Sequence, residues 1–166
     1  MKFSMINNPH SVLVVGVGNE FRSDDGAGLV VARMINDLEM PGVDVVEASG
    51  EGGELMSLWK RAESVILIDA MVGEQEAGAI RRIEANAHPL SMNIFRSSHE
   101  FGVAHAVELS RTLRELPSNI IVYGIQGKKY EMGEGLSHEV ERAMTQAAAL
   151  IVNDIQSLQS AETTKL

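Results

Sequence analysis

The sequence predicts one α/β domain built on a mainly parallel, twisted sheet. Two observations carry this. Val12-Leu13-Val14-Val15 and Val65-Ile66-Leu67-Ile68 are continuously apolar with no polar alternation, as expected of strands covered on both faces. Stretches with helical apolar spacing separate such runs, and strands alternating with helices imply parallel pairing. A chain of 166 residues that is 45% hydrophobic also suffices for one full core without metal or disulfide staples.

The stretch Val12 to Gly28 organises the rest. Gly16 and Gly18 allow a sharp turn where the first strand ends. Leu29, Val30, Ala32, Met34, Ile35 and Leu38 then recur at a mainly helical spacing. Asp24 and Asp25 fall at the start of that helix, where a carboxylate can cap free N–H groups. One cap needs one side chain, so the second aspartate is free for chemistry. Pro41-Gly42 makes a turn before a short strand, Val43 to Val46, and Ala48 to Gly53 is a glycine-rich loop. Glu54 to Arg61 reads as a short helix with Leu55, Leu58 and Trp59 on its apolar side. Ser64 to Asp69 reads as a central strand ending on a carboxylate, and Ala79 to Glu84 as an edge strand. Ser97 and Glu100 match a capping box, which predicts a long helix from Ser97 to about Leu116. Asn119 to Ile125 is a further β-branched strand. Ser137 is expected to cap a last helix carrying Val140, Met144, Ala147, Ala148, Ile151 and Ile155. The domain is expected to span residues 1–158, with 159–166 a polar, frayed tail.

Composition excludes several classes of function. The absence of cysteine removes cysteine proteases, thiolate zinc sites, iron–sulfur clusters and disulfide scaffolds. A net charge of −9 argues against a nucleic-acid or anionic-membrane partner. No apolar stretch is long enough to span a bilayer, and the first ten residues lack the apolar region of a secretory signal. The expectation is a cytoplasmic protein. Gly16-Val17-Gly18 does not complete a dinucleotide fingerprint, because Phe21 stands where the third glycine belongs. The acidic pair would also repel a pyrophosphate.

In open α/β sheets ligands sit at the carboxyl ends of the strands. Asp25 follows the first strand, Asp69 closes a central one, and His99 opens the helix before the last. Burying an ionised carboxylate is costly unless it is paired or metal-bound, which points Asp69 towards function. In the first turn of a helix the dipole disfavours imidazolium, and neutral imidazole is the form that binds metal. His99 is therefore the ligand candidate. His105, placed with Phe101, Leu109, Thr112 and Leu116, reads as an interior histidine. His99 and His105 are wrongly spaced for a zincin helix.

These residues resemble a known family. Val14-Val15-Gly16-Val17-Gly18-Asn19 followed by Asp24-Asp25-Gly26-Ala27-Gly28 resembles the amino-terminal motif of the hydrogenase maturation endopeptidases. Ile68-Asp69-Ala70, Ser98-His99-Glu100-Phe101-Gly102, and Gly124-Ile125-Gln126 with Gly135-Leu136-Ser137 resemble their later motifs, in the same order along nearly the whole chain. The resemblance implies a five-stranded sheet with helices on both sides, hence three α/β/α layers. It implies an endopeptidase that removes the C-terminal extension of a nickel–iron hydrogenase large-subunit precursor after nickel insertion. The family's metal-contacting residues map to Asp25, Asp69 and His99, which are also the expected catalytic residues. Nickel is expected to arrive with the substrate, with no organic cofactor. The alternative is a non-enzymatic, nickel-dependent binding module for the precursor. Two loops depart from the family pattern. Glu47 to Gly53 replaces an Asp-Gly-Gly-Thr-like segment, and Gln126-Gly127 stands where the family has Glu-Pro. Asp24, the spare aspartate, is expected to lend only a helix-terminal charge interaction of about 0.3–1 kcal/mol.

Overall fold

The computed structural model describes residues 11–95 and 99–164. The elements in chain order are β1 (Val12–Val17), α1 (Ala27–Asp37), β2 (Val43–Ala48), α2 (Gly52–Trp59), β3 (Ser64–Met71), β4 (Ile80–Glu84), α3 (Val103–Leu113), β5 (Asn119–Gln126) and α4 (His138–Thr163). A short 3-10 turn, Ser23–Gly26, leads into α1. The strands form one sheet in the order β2-β1-β3-β5-β4. All neighbours are parallel except β4, which runs antiparallel to β5 at the edge. The expected mainly parallel sheet and its edge strand are both present.

Alternation along β1 and β3 divides the core into two layers. Leu13, Val15, Val65 and Leu67 pack with Leu55, Trp59, Val103 and Val107 under α2 and α3. Val12, Val14, Ile66 and Ile68 pack with Val31, Ile35, Met144 and Ile151 under α1 and α4. β1 and β3 are buried throughout, which is why their sequences are apolar at almost every position. Helix α1 lies unusually close to the sheet. A Cβ on Gly16 would stand 2.5 Å from the Ala32 Cβ, and one on Gly28 would stand 2.3 Å from the Ile68 carbonyl oxygen. The absent side chains let the start of α1 settle directly over β1 and β3.

Several boundaries differ from the expectation. β3 continues past Asp69 to Met71, because Ala70 and Met71 pair with Ile125 and Gln126 of β5. α3 begins at Val103, its N-cap Gly102 being extended with φ −105° and ψ −161°. Ser97 lies outside the described residues, and His99 and Glu100 precede the helix in a bend. His105 is exposed, not interior. The buried face of α3 is Val103, Ala104, Ala106, Val107 and Ser110. Its small residues admit α2, and the Trp59 indole N–H donates to the Ser110 hydroxyl at 3.3 Å. Residues 159–163, expected to fray, continue α4, and the Gln159 amide donates to the Pro41 carbonyl at 2.8 Å. No helix among the described residues is long and apolar enough to cross a membrane.

Candidate active site

The sheet order creates a switch point between β1 and β3. From β1 the chain passes through α1 to β2 on one side, then through α2 back across β1 to β3 on the other. The crevice at the carboxyl ends of β1 and β3 is where such sheets bind ligands. Asp25 lies in the 3-10 turn after β1 and Asp69 near the end of β3. Both therefore flank that crevice.

Asp25 is half-buried, and its Oδ2 accepts the Asn19 N–H at 3.0 Å. The Asn19 side chain in turn accepts the Phe21 N–H at 2.9 Å, which closes the turn after Gly18. Gly18 has φ +147°, and a Cβ there would stand 1.9 Å from the Asp25 carbonyl oxygen. Glycine is thus required for the turn to close over Asp25.

Asp69 is 3% exposed. Its position in the strand alternation puts it on the face that carries Leu67 and Met71. Burial pushes its carboxyl well above the ordinary carboxylate range, and the nearby negative charge of Asp25 pushes it further. The Ala70 N–H opposes the shift without cancelling it. A buried carboxyl whose ionisation a neighbouring carboxylate opposes is suited to meeting a cation or to holding a proton.

His99 reaches the same edge by another route. The Gly52 N–H donates to the Phe101 carbonyl at 2.8 Å, so the residues before α3 lie over the start of α2. A Cβ on Gly52 would stand 2.1 Å from the Phe101 ring, so glycine is what admits that ring. Glu51 caps α2 by accepting the Gly53 and Glu54 N–H groups at 2.9 and 2.8 Å. These bonds hold the Glu51 carboxyl below its usual range, and the charge of His99 assists them. The structure thus couples Asp25 to Asp69, and His99 to Glu51. Among the described residues no three His, Asp or Glu side chains gather closely enough to hold a metal ion.

Comparison with known proteins decides the family. Residues 29–154 match the family model described as HycI, hydrogenase maturation protease. The chain belongs to the hydrogenase maturation proteases. A candidate hydrogenase maturation protease of Methanocaldococcus jannaschii is 32% identical over 154 residues, covering 87% of this chain and 96% of its own. The hydrogenase 2 maturation protease of Escherichia coli K12 is 26% identical over 136 residues, covering 78% of this chain and 81% of that one. Among solved structures, the hydrogenase-maturating endopeptidase HybD of E. coli superposes with TM-score 0.74 at 21% identity, over 89% of this chain and 93% of that one. The HybD maturation protease of Thermococcus kodakarensis gives 0.68 at 28% identity, over 87% and 98%. The protein is accordingly a peptidase of the expected α/β architecture.

Two features of the protease were misread or missed in the sequence. Neither aspartate caps α1: its N-cap is Gly26, with no side-chain cap bond. Asp24 is fully buried and binds instead to the segment after β5, through the backbone of Lys128, Lys129 and Ser137 and the Ser137 hydroxyl. The expected loss of only about 0.3–1 kcal/mol on removing its charge does not fit a buried carboxylate so engaged. Correspondingly, Ser137 is the N-cap residue of α4, yet its side chain makes no cap bond. The second feature is Gln126. Its side chain is buried, its amide nitrogen donates to the Gly127 carbonyl at 3.1 Å, and its Oε1 is buried without a hydrogen-bond partner among the described residues.

Proposed function

We propose that this protease removes the C-terminal extension of a nickel–iron hydrogenase large-subunit precursor after nickel has been inserted. The observation that carries the reading is the Asp25–Asp69 pair at the β1/β3 switch point, in which burial of Asp69 and the charge of Asp25 beside it favour a bound cation or a held proton. Family membership supplies the reaction class. Nickel belongs to the substrate in this reading. The two carboxylates contact it, and His99 closes on the bound metal to complete the donor set. Two carboxylate oxygens and one imidazole nitrogen make a borderline set suited to nickel or zinc. Cleavage adds water to the scissile carbonyl and releases the C-terminal peptide with a new amino group. The attacking water gives its proton to a carboxylate base, or to solvent once nickel has lowered its pKa, and the departing nitrogen takes up a proton in turn. In this reading the protease works in the cytoplasm.

The test is to incubate nickel-loaded and nickel-free precursor with the protein and read the mass of the large subunit. Loss of a C-terminal peptide from the nickel-loaded form alone is the expected result. An intact mass with a stable complex would replace the protease reading with a binding module. Asp25→Asn should abolish processing while circular dichroism stays native, since the Asn19 N–H retains an acceptor.

The donor set has its own check. Ni²⁺ or Zn²⁺ added to the isolated protein should bind more weakly to His99→Ala than to wild type in calorimetry. Equal affinities would remove His99 from the site.

A further inference from the structure

Asp24 is a buried charged group that the cleavage chemistry does not use, and its partners show what it does. Its Oδ1 accepts the Ser137 N–H at 2.7 Å. Its Oδ2 accepts the Lys128 and Lys129 N–H groups at 2.7 and 2.8 Å and the Ser137 hydroxyl at 2.7 Å. The Asp24 N–H returns a bond to the Lys129 carbonyl at 3.0 Å. On either side the contact continues. The Ser23 N–H donates to the Gly133 carbonyl at 2.8 Å, the Gly133 N–H to the Phe21 carbonyl at 2.9 Å, and the Ser23 hydroxyl to the Glu131 carbonyl at 3.0 Å. Residues 21–24 and 127–137 are therefore stitched together along their length.

The far side of the same loop is tied to β3. The Tyr130 hydroxyl donates to the Met71 carbonyl, two residues beyond Asp69, and accepts the Gly127 N–H at 3.1 Å. The loop is thus a crosspiece. Its backbone grips the turn that carries Asp25, and its Tyr130 side chain grips the strand that carries Asp69. Only a carboxylate serves at its centre, because every group facing Asp24 Oδ1 and Oδ2 is a donor. The Asp24→Asn change would turn one of those oxygens into an NH₂ aimed at an N–H.

We propose that Asp24 is a positioning residue of the cleavage site, acting through loop 127–137 to hold Asp25 and Asp69 at their working separation. This rests on the protease reading above. Asp24 itself touches neither substrate nor reacting atoms.

Steady-state processing of nickel-loaded precursor by wild type, Asp24→Asn, Ser137→Ala and the double variant tests it, with rates normalised to the folded fraction from circular dichroism. Asp24→Asn should lower kcat by about 10²-fold, the scale of an ångström-sized misplacement, with KM little changed. Ser137→Ala should lower kcat less, and the double variant should be no slower than Asp24→Asn, because both changes open one seam. Unchanged kcat per folded molecule in Asp24→Asn, or losses that multiply in the double variant, would overturn the proposal. If Asp24→Asn does not fold, Ser137→Ala decides by the same rule: reduced kcat supports it and wild-type kcat overturns it. Amide hydrogen exchange on Ser137→Ala gives a readout independent of cleavage. Faster exchange in both 19–25 and 127–137, with β1 and β3 unchanged, supports the coupling. Unchanged exchange in 19–25 overturns it. Should wild type fail to cleave, the protease reading falls while hydrogen exchange still judges Asp24.

Discussion

Asp69→Asn is expected to raise the melting temperature at neutral pH while cutting precursor processing by about 10²–10⁴-fold, the range for loss of an acid–base group. The two effects share a cause. The Asp69 carboxyl is raised well above its ordinary value, by burial first and by Asp25 second. The folded state therefore binds a proton that the unfolded state releases. Stability falls as pH rises through the interval from the ordinary carboxylate range up to the raised folded value. Below that interval the penalty is absent. The amide is nearly isosteric, keeps an acceptor for the Ala70 N–H and carries no charge to desolvate. Thermal melts of both proteins between about pH 4 and pH 8 should show the gap opening as pH rises. A variant no more stable than wild type at the upper end of that range would show that Asp69 ionises there without cost. Asp24, adjacent in sequence to Asp25, has the opposite slope. Burial raises its carboxyl, but the bonds from Ser137, Lys129 and Lys128 outweigh burial and leave it below the ordinary value. The stability it contributes is present above the ordinary carboxylate pKa and is lost as pH falls through the folded value.

Gly28→Ala is expected to destabilise the fold by about 1–3 kcal/mol or more, the range for overpacking a closed interior. The new Cβ would stand 2.3 Å from the Ile68 carbonyl oxygen and 2.4 Å from that of Val17. Both obstacles are backbone of central strands, so no side chain can rotate away. Relief requires α1 to lift off the sheet, and the turn holding Asp25 is continuous with its first residue. Loss of processing should therefore accompany loss of stability. Each kcal/mol corresponds to roughly 2–4 °C in a chain of this size, so a differential scan resolves the effect. An unchanged melting temperature would show that α1 can back away freely.

What the sequence disclosed depended on how local the determinant was. The β1 and β3 runs were readable because burial on both faces leaves no polar position to obscure them. The placement of Asp25 after β1 and of Asp69 near the end of β3 was readable because each follows such a run. The start of α3 was not. Ser97 and Glu100 carry the capping pattern, but the extended backbone at Gly102 postpones the helix to Val103. The buried face of α3 was hidden for a different reason. It is built from Ala104, Ala106 and Ser110, whose small size permits close packing and gives little hydropathy signal, while the larger Leu109 and Leu113 are exposed. The role of Asp24 had no local signature at all, since its side-chain partners stand 104 to 113 positions further along.

That separation has a consequence for how the enzyme is made. The turn that presents Asp25 is synthesised first, and the backbone donors that secure its neighbour come only later, from residues 128 to 137. At about 5–20 residues per second of translation, roughly 6–23 s pass between the appearance of Asp24 and that of Ser137. Through that interval Asp24 lacks the donors that bind it in the folded chain, and the turn carrying Asp25 lacks its seam to residues 128–137. A product terminated before residue 137 inherits the same defect permanently. The seam between the two segments therefore forms only after residue 137 has been made, long after the turn itself.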